Sequence, residues 1–390
     1  MRLEEICTVF TDGDWIESKD QSDDGIRLVQ TGNIGEGIYL EKEARAKYIS
    51  EETFEKLKCT EIFPGDILVS RLPDPVGRAC IIPEKEERMI TAVDCTICRP
   101  NESIISKEYL CYFMRSSAYY KRLLGSVTGT TRKRISRKNL GNVELEVPSK
   151  ERQMDVVEQL DCLVKVIESR KQELQLLDNL IKARFVEMFG DIATGNYKYD
   201  TRKLGDVANV GSSHRVFTTE FVKKGIPFYR GTEIGELANG NKPAEPFYIS
   251  EEHYNRLVYN DTKPQVGDLL LPSICNKGQV WMVDTDEPFY YKDGRVLCIS
   301  PDREIFDTKY LEYFMRAKTL VEYPKLGSGS TFAEFKIFIL KNIDVLIPPR
   351  ELQEQFSMFV HQVDKSKVAV QKALEESQLL FDSLMQEYFG

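Results

Sequence analysis

Two stretches of the chain place hydrophobic residues at heptad spacing, and the remainder is organised around them. Between 148 and 190, Leu160, Ile167, Leu174, Ile181 and Met188 recur every seven residues. Leu163 and Leu177 fill the offset position, and charged residues occupy the other faces. This spacing predicts one long helix with an a/d stripe. Pro148 precedes the first turn, Ser149 is placed to cap it, and Gly190 closes the end. At about 1.5 Å per residue the helix is roughly 60 Å long, too long to bury its stripe without a partner. Between 348 and 390 the pattern returns in the same frame. Pro148, Glu151, Gln153, Leu174, Phe189 and Gly190 recur as Pro348, Glu351, Gln353, Leu374, Phe389 and Gly390. Val360, Leu374, Phe381 and Tyr388 continue one line of the stripe; Val363, Val370 and Leu384 continue the other. The two helices are expected to pack on each other. Arg170, Arg184, Lys367 and Ser377 interrupt the stripe and would fix its register at some cost in stability.

The sequences between the helices also repeat. Gly25-Ile26 and Ile34-Gly35-Glu36 return as Gly225-Ile226 and Ile234-Gly235-Glu236, and Tyr48-Ile49-Ser50-Glu51-Glu52 as Tyr248-Ile249-Ser250-Glu251-Glu252. Gly65-Asp66-Ile67-Leu68 matches Gly267-Asp268-Leu269-Leu270, and Tyr112-Phe113-Met114-Arg115 matches Tyr313-Phe314-Met315-Arg316. One unit is written twice: a domain over 1–147, a helix over 148–190, a polar connection over 191–201, a domain over 202–347 and a helix over 348–390. Within the first domain, short strands are expected at 67–70, 79–82 and 96–98. An amphipathic helix is expected over 107–124, with Leu110, Phe113, Met114 and Tyr120 inward. Residues 143–147 alternate as a half-buried strand leading into the long helix. The expected fold is α+β: two pseudo-two-fold-related α/β domains separated by two long helices in an antiparallel coiled coil. If the target were a duplex, such domains would touch two segments spaced by its roughly 34 Å turn, with the helices as a ruler.

At 390 residues the chain has room for two or three domains. No apolar run approaches the ~18 residues of a membrane span, and the first ten residues are too acidic for a signal peptide. Nine singly scattered cysteines point to a reducing cytoplasm. A net charge of −9 argues, taken whole, against a nucleic-acid partner. Catalytic patterns are sparse. The three histidines, His214, His253 and His361, have no metal-ligand spacing. Cys95 and Cys98 read as core, because an odd separation on a strand sends the side chains to opposite faces. Asp302, Asp307 and Lys309 only faintly match a nuclease set, and the first copy lacks them. Neither a phosphate-binding Gly-rich loop nor a nucleophile elbow is present. No catalytic or metal-ligating set is assigned.

Binding chemistry is richer. Residues 125–139 carry Arg132, Lys133, Arg134, Arg137 and Lys138 without an acidic residue, preceded by Thr128, Gly129, Thr130 and Thr131. Hydroxyls on a Gly turn beside guanidinium groups suit phosphate oxygens. The second copy keeps the turn as Ser328, Ser330 and Thr331 but follows it with Phe332, Glu334 and Phe335, so the halves should not read the same sequence. Four further turns, in two pairs matched between the copies, supply candidates for base edges: Gln30, Thr31 and Asn33 with Arg230, Thr232 and Glu233; and Arg71 and Arg78 with Ser273, Asn276, Lys277 and Gln279. From the residues alone three readings stand: a non-enzymatic DNA-recognition subunit, a self-contained nuclease or methyltransferase, and a coiled-coil adaptor that never touches nucleic acid.

The chain resembles the specificity (S) subunits of type I restriction-modification systems. The marks are Gly65 to Leu68 with Gly267 to Leu270, the Gly-Ser/Thr turn, the Pro-Glu-Gln helix starts, Leu177-Asp178-Asn179-Leu180, and Phe189-Gly190. Their order and duplication carry the resemblance across essentially the whole chain. It implies two target-recognition domains, each reading part of a split asymmetric site, and a coiled coil that sets the gap. It also implies two methyltransferase (M) subunits using S-adenosylmethionine, and restriction (R) subunits bringing ATP and Mg, with no cofactor in this chain.

Overall fold

The computed structural model describes residues 1–129, 133–258, 263–327 and 333–390. These form two compact units: Met1–Gln172 together with Gln371–Gly390, and Glu173–Val370.

In the first unit the strands are β1 (Cys7–Asp12), β2 (Ile26–Val29), β3 (Tyr48–Ile49), β4 (Glu61–Ile62), β5 (Ile67–Ser70), β6 (Ala79–Ile81), β7 (Met89–Thr91) and β8 (Cys95–Pro100). They make two four-stranded sheets, ordered β1-β8-β5-β6 and β3-β2-β7-β4. The helices are α1 (Glu51–Leu57), α2 (Lys107–Phe113), α3 (Ser117–Leu124), α4 (Arg137–Gly141) and the first part of α5 (Lys150–Phe189). The central strand β5 is apolar at consecutive positions because both its faces are covered. Ile67 and Val69 face the helices, while Leu68 faces the second sheet. Cys98 and Cys95 likewise enter opposite cores.

The second unit begins with a small hairpin of β9 (Gly190–Asp191) and β10 (Asn196–Tyr197), then β11 (Thr201–Lys203). The stretch expected to be only a polar connection is therefore built into this unit. Next come α6 (Leu204–Val207), β12 (Ala208–Gly211), β13 (Phe221–Val222), β14 (Ile226–Tyr229), α7 (Gly231–Ala238), β15 (Phe247–Ile249) and α8 (Glu251–Leu257). β16 (Leu269–Pro272), β17 (Trp281–Met282), β18 (Tyr290–Tyr291), β19 (Val296–Pro301), α9 (Thr308–Glu322), α10 (Ile337–Lys341), β20 (Asp344–Leu346) and α11 (Arg350–Phe389) complete the order. Its four-stranded sheets are β12-β19-β16-β17 and β13-β15-β14-β18, and β11 pairs with β20.

Each unit holds part of both long helices, and in each the directions are opposed. In the first, Tyr388 donates to Gln159 Oε1 at 2.7 Å, and Val156, Leu160 and Ile167 share a core with Phe381, Met385 and Phe389. In the second, Lys367 donates to Asp178 at 2.7 Å and the rings of Phe185 and Phe356 lie 5.4 Å apart. Position rises along α5 as it falls along α11, the antiparallel arrangement expected. Of the stripe, Leu160, Ile167, Ile181, Val360, Val363, Val370 and Phe381 are buried, and Leu163, Leu174, Leu177, Leu374 and Leu384 are half-buried. Phe185, Phe189 and Phe356 are buried more deeply than most of the stripe.

Two further elements differ from expectation. The single helix over 107–124 is two, because Ser116 interrupts it. Its Oγ accepts from the Tyr119 amide at 3.1 Å and donates to Phe113 O at 2.7 Å, so it caps one helix while closing the other. In the second copy the matching residue is Ala317, and α9 runs through unbroken. The strand over 143–147 is reduced to a bridge with the chain start, where Leu3 N donates to Val143 O at 2.8 Å. Its second copy forms the regular strand β20.

Candidate nucleic-acid interface

The motifs shared by the two copies mostly bond inward. Gly65 and Gly267 take φ values of +91° and +86°, which turn the chain so that Asp66 and Asp268 point back into the unit. Asp66 accepts from the Phe63 amide at 2.9 Å and from the Arg99 guanidinium at 2.7 and 2.8 Å. Asp268 accepts from Gln265 N at 2.9 Å and Arg303 at 3.0 Å. Gln153 and Gln353 are fully buried, and each joins the start of a long helix to the loop before α2 or α9. Gln153 accepts from Ser106 N at 2.8 Å and donates to Ile104 O and Pro148 O; Gln353 accepts from Asp307 N at 2.9 Å and donates to Ile305 O and Pro348 O.

The candidate contact residues divide by direction. Asn33 is buried; its Oδ1 accepts from Gln30 N at 3.0 Å and its Nδ2 donates to Leu40 O at 3.0 Å. Glu233 has the same place in the second unit and accepts from Arg230 N at 2.7 Å. Each side chain returns a bond to the amide of the residue that begins its turn. Burial works against the charge on Glu233, but the Arg230 side chain and backbone amide hold its carboxyl below the usual value. Arg78 is also interior: Nε donates to Ile34 O at 2.7 Å, Nη2 to Thr31 O at 2.8 Å, and Nη1 to Leu72 O at 2.8 Å and Pro75 O at 3.1 Å. It ties two loops together, with its donors spent on carbonyls. Arg71 is buried beside Asp12 at 3.3 Å and donates to Val93 O. Ser273 is buried too. Expected as base readers, these five residues are placed by the structure as supports, because their polar atoms are sequestered.

Others reach the surface. Thr128, Lys133, Arg134, Arg137 and Lys138 are exposed in the first unit, and Thr232, Asn276 and Lys277 in the second. Gln30, Thr31, Arg230 and Gln279 are half-buried, and Arg230 is engaged with Glu233. Thr130, Thr131, Arg132, Ser328, Ser330 and Thr331 lie outside the described residues. The basic segment is anchored to one end of the β1-β8-β5-β6 sheet. Thr128 and Arg134 exchange two backbone hydrogen bonds of 2.9 Å, and Ile135 N donates to Arg71 O at 3.2 Å. Arg134 pairs with Asp94 at 2.7 Å, and Arg137 lies 3.7 Å from Asp12. Lys133 and Lys138 have no ion pair among the described residues. Lys133, Arg137 and Lys138 thus extend from the sheet end, which suits phosphate contact. Among the described residues no cluster of histidine, cysteine and carboxylate side chains could hold a metal ion, and no helix is long and apolar enough to cross a membrane.

A model of the family described as "Type I restriction modification DNA specificity domain" matches residues 1–179 and again 196–377. The chain belongs to this type I specificity family. It is 21% identical over 373 residues to the type I restriction enzyme MjaIX specificity subunit of Methanocaldococcus jannaschii, covering 90% of this chain and 82% of that one. Two solved structures have a similar fold. One, described as showing complex assembly and conformational transition of the type I R-M system, aligns over 100% of this chain and 96% of the other, with a TM-score of 0.61 and 18% identity. The other, the type I S subunit from M. genitalium, aligns over 100% and 95%, with a TM-score of 0.55 and 13% identity.

Within this type I specificity architecture, the copies display different chemistry on matching elements. α4 starts with Arg137 and Lys138; α10 starts with Ile337 and Phe338, the latter 63% exposed. Ile337 and Phe338 were absent from the candidates, yet the repeat alignment opposite Arg137 and Lys138 was the signal that could have found them.

Proposed function

We propose that the chain is the DNA sequence-recognition subunit of a type I restriction-modification complex, acting without catalysis of its own. Each unit reads one part of a bipartite asymmetric site, and the paired helices set the spacing and dock methyltransferase subunits, two in number. S-adenosylmethionine, ATP and Mg belong to the partner subunits, and the complex works in the cytoplasm. The observation that carries this reading is the pairing of one framework, built twice, with unlike side chains at matching surface positions. Two unlike reading faces are what an asymmetric, split site requires. The acidic total is compatible with it, because residues 125–139 of the first unit are locally positive, with five basic residues and no acidic one. Mapping methylated adenines in the host genome with and without this chain tests the proposal. A two-part motif that disappears with the chain is expected; an unchanged adenine-methylation map overturns it.

A further inference from the structure

Asp94 and Arg134 of the first unit correspond in the repeat to Arg295 and Glu334 of the second. Both pairs close at 2.7 Å, with the charges exchanged. The backbone around them is stitched alike. Arg71 N donates to Asp94 O at 2.9 Å and Ile135 N to Arg71 O at 3.2 Å; Ser273 N donates to Arg295 O at 2.8 Å and Phe335 N to Ser273 O at 2.7 Å. In each unit the segment entering α4 or α10 therefore crosses the end of the central strand, and an ion pair joins that segment to the turn before β8 or β19.

We propose that these pairs are one positioning latch written with opposite polarity, holding the recognition segment against the sheet end. Arg134 then acts through Asp94 and does not serve as a free phosphate contact. Because the signs are exchanged, a segment moved from one unit to the other would set Arg134 against Arg295, or Glu334 against Asp94. Like charges at that separation repel, so the ion pair forms only between a segment and the turn of its own unit. The four side chains are 30–57% exposed, so the pairs contribute little to global stability.

The inference rests on the DNA-recognition reading, and its test separates the two. In the complex assembled with methyltransferase subunits, Arg134→Glu and Asp94→Arg are made singly and together, with Arg134→Lys as the conservative variant. Binding is measured on duplexes carrying the mapped site or a changed first half. Each single reversal should lower discrimination about tenfold, while the double reversal and Arg134→Lys stay within about threefold of wild type. Arg295→Glu with Glu334→Arg should behave the same way toward the second half. A double reversal no better than Arg134→Glu, or single reversals without effect, overturns the latch. Variants whose thermal midpoint falls by more than about 8 °C also overturn it, since the pair would then be supporting the whole fold. A wild-type complex with no sequence preference overturns the recognition reading, and the latch with it.

Discussion

The buried amide of Gln353 makes the joint between α11 and its domain measurable. It satisfies one N–H and two carbonyls, and no rotation of an apolar side chain can replace these bonds. Gln353→Leu removes three hydrogen bonds, each of net value about 1 kcal/mol, and leaves their partners to find solvent or remain unpaired at further cost. The expected loss is roughly 3–5 kcal/mol. Trp281 is buried in the same unit, and Trp15, the other tryptophan, is 70% exposed in the first. In a Trp15→Phe background, Trp281 fluorescence during urea unfolding therefore reports the second unit. With a urea dependence near 2 kcal/mol per M, the midpoint should fall by about 1.5–2.5 M. Gln353→Glu should be no milder, because a carboxylate oxygen replaces the Nε2 group facing two carbonyl oxygens. A leucine variant within about 0.5 kcal/mol of its background would refute the reasoning, as would a well-tolerated glutamate.

Other consequences can be tested in the same protein. Replacing Lys133, Arg137 and Lys138 by Ala in the assembled complex should weaken DNA binding and flatten the salt dependence by about 0.9 per lost phosphate contact; an unchanged slope removes them from the interface. Ser116→Ala should lower stability by about 1 kcal/mol through the lost cap, checked by thermal unfolding. Glu233 has a folded pKa below its unfolded one, so its contribution is present above the unfolded value of about 4.3 and lost as pH falls through the folded value. Urea unfolding at pH 6 and at about pH 3.5 should show that loss, and Glu233→Gln should reduce the difference.

The long helices were legible because a seven-residue repeat over forty residues has few other solutions; α5 and α11 each span 40 residues. The aromatic positions at their ends were less so. Phe185, Phe189 and Phe356 pack into a core shared with α9, where the partner is a domain and no longer a second stripe. The break between α2 and α3 turned on one hydroxyl, which a periodicity count cannot weigh against good helix formers. For the interface, residue type was an incomplete guide. A guanidinium that ties loops together, as Arg78 does, and one that faces solvent, as Arg137 does, look alike in sequence. Asn33 and Glu233 carried a readable signal, since each stands three residues after Gln30 or Arg230 and can return a bond to that residue's amide.

The direction of each side chain also explains how the copies could diverge in surface chemistry while retaining one framework. Gln153 and Gln353, Asp66 and Asp268, and Ser50 and Ser250 are identical pairs, each spending side-chain acceptors on its own unit's backbone or on an internal arginine. Removing one partner there leaves a sequestered polar group unpaired, so the position tolerates little change. Arg137 and Ile337, and Lys138 and Phe338, stand on helix starts whose outward faces bear no such obligation. Exposed substitutions of that kind usually cost within about 0.5 kcal/mol. Asp94–Arg134 and Arg295–Glu334 lie between these classes: the bond is kept, but its sign is free to change as long as both ends change together.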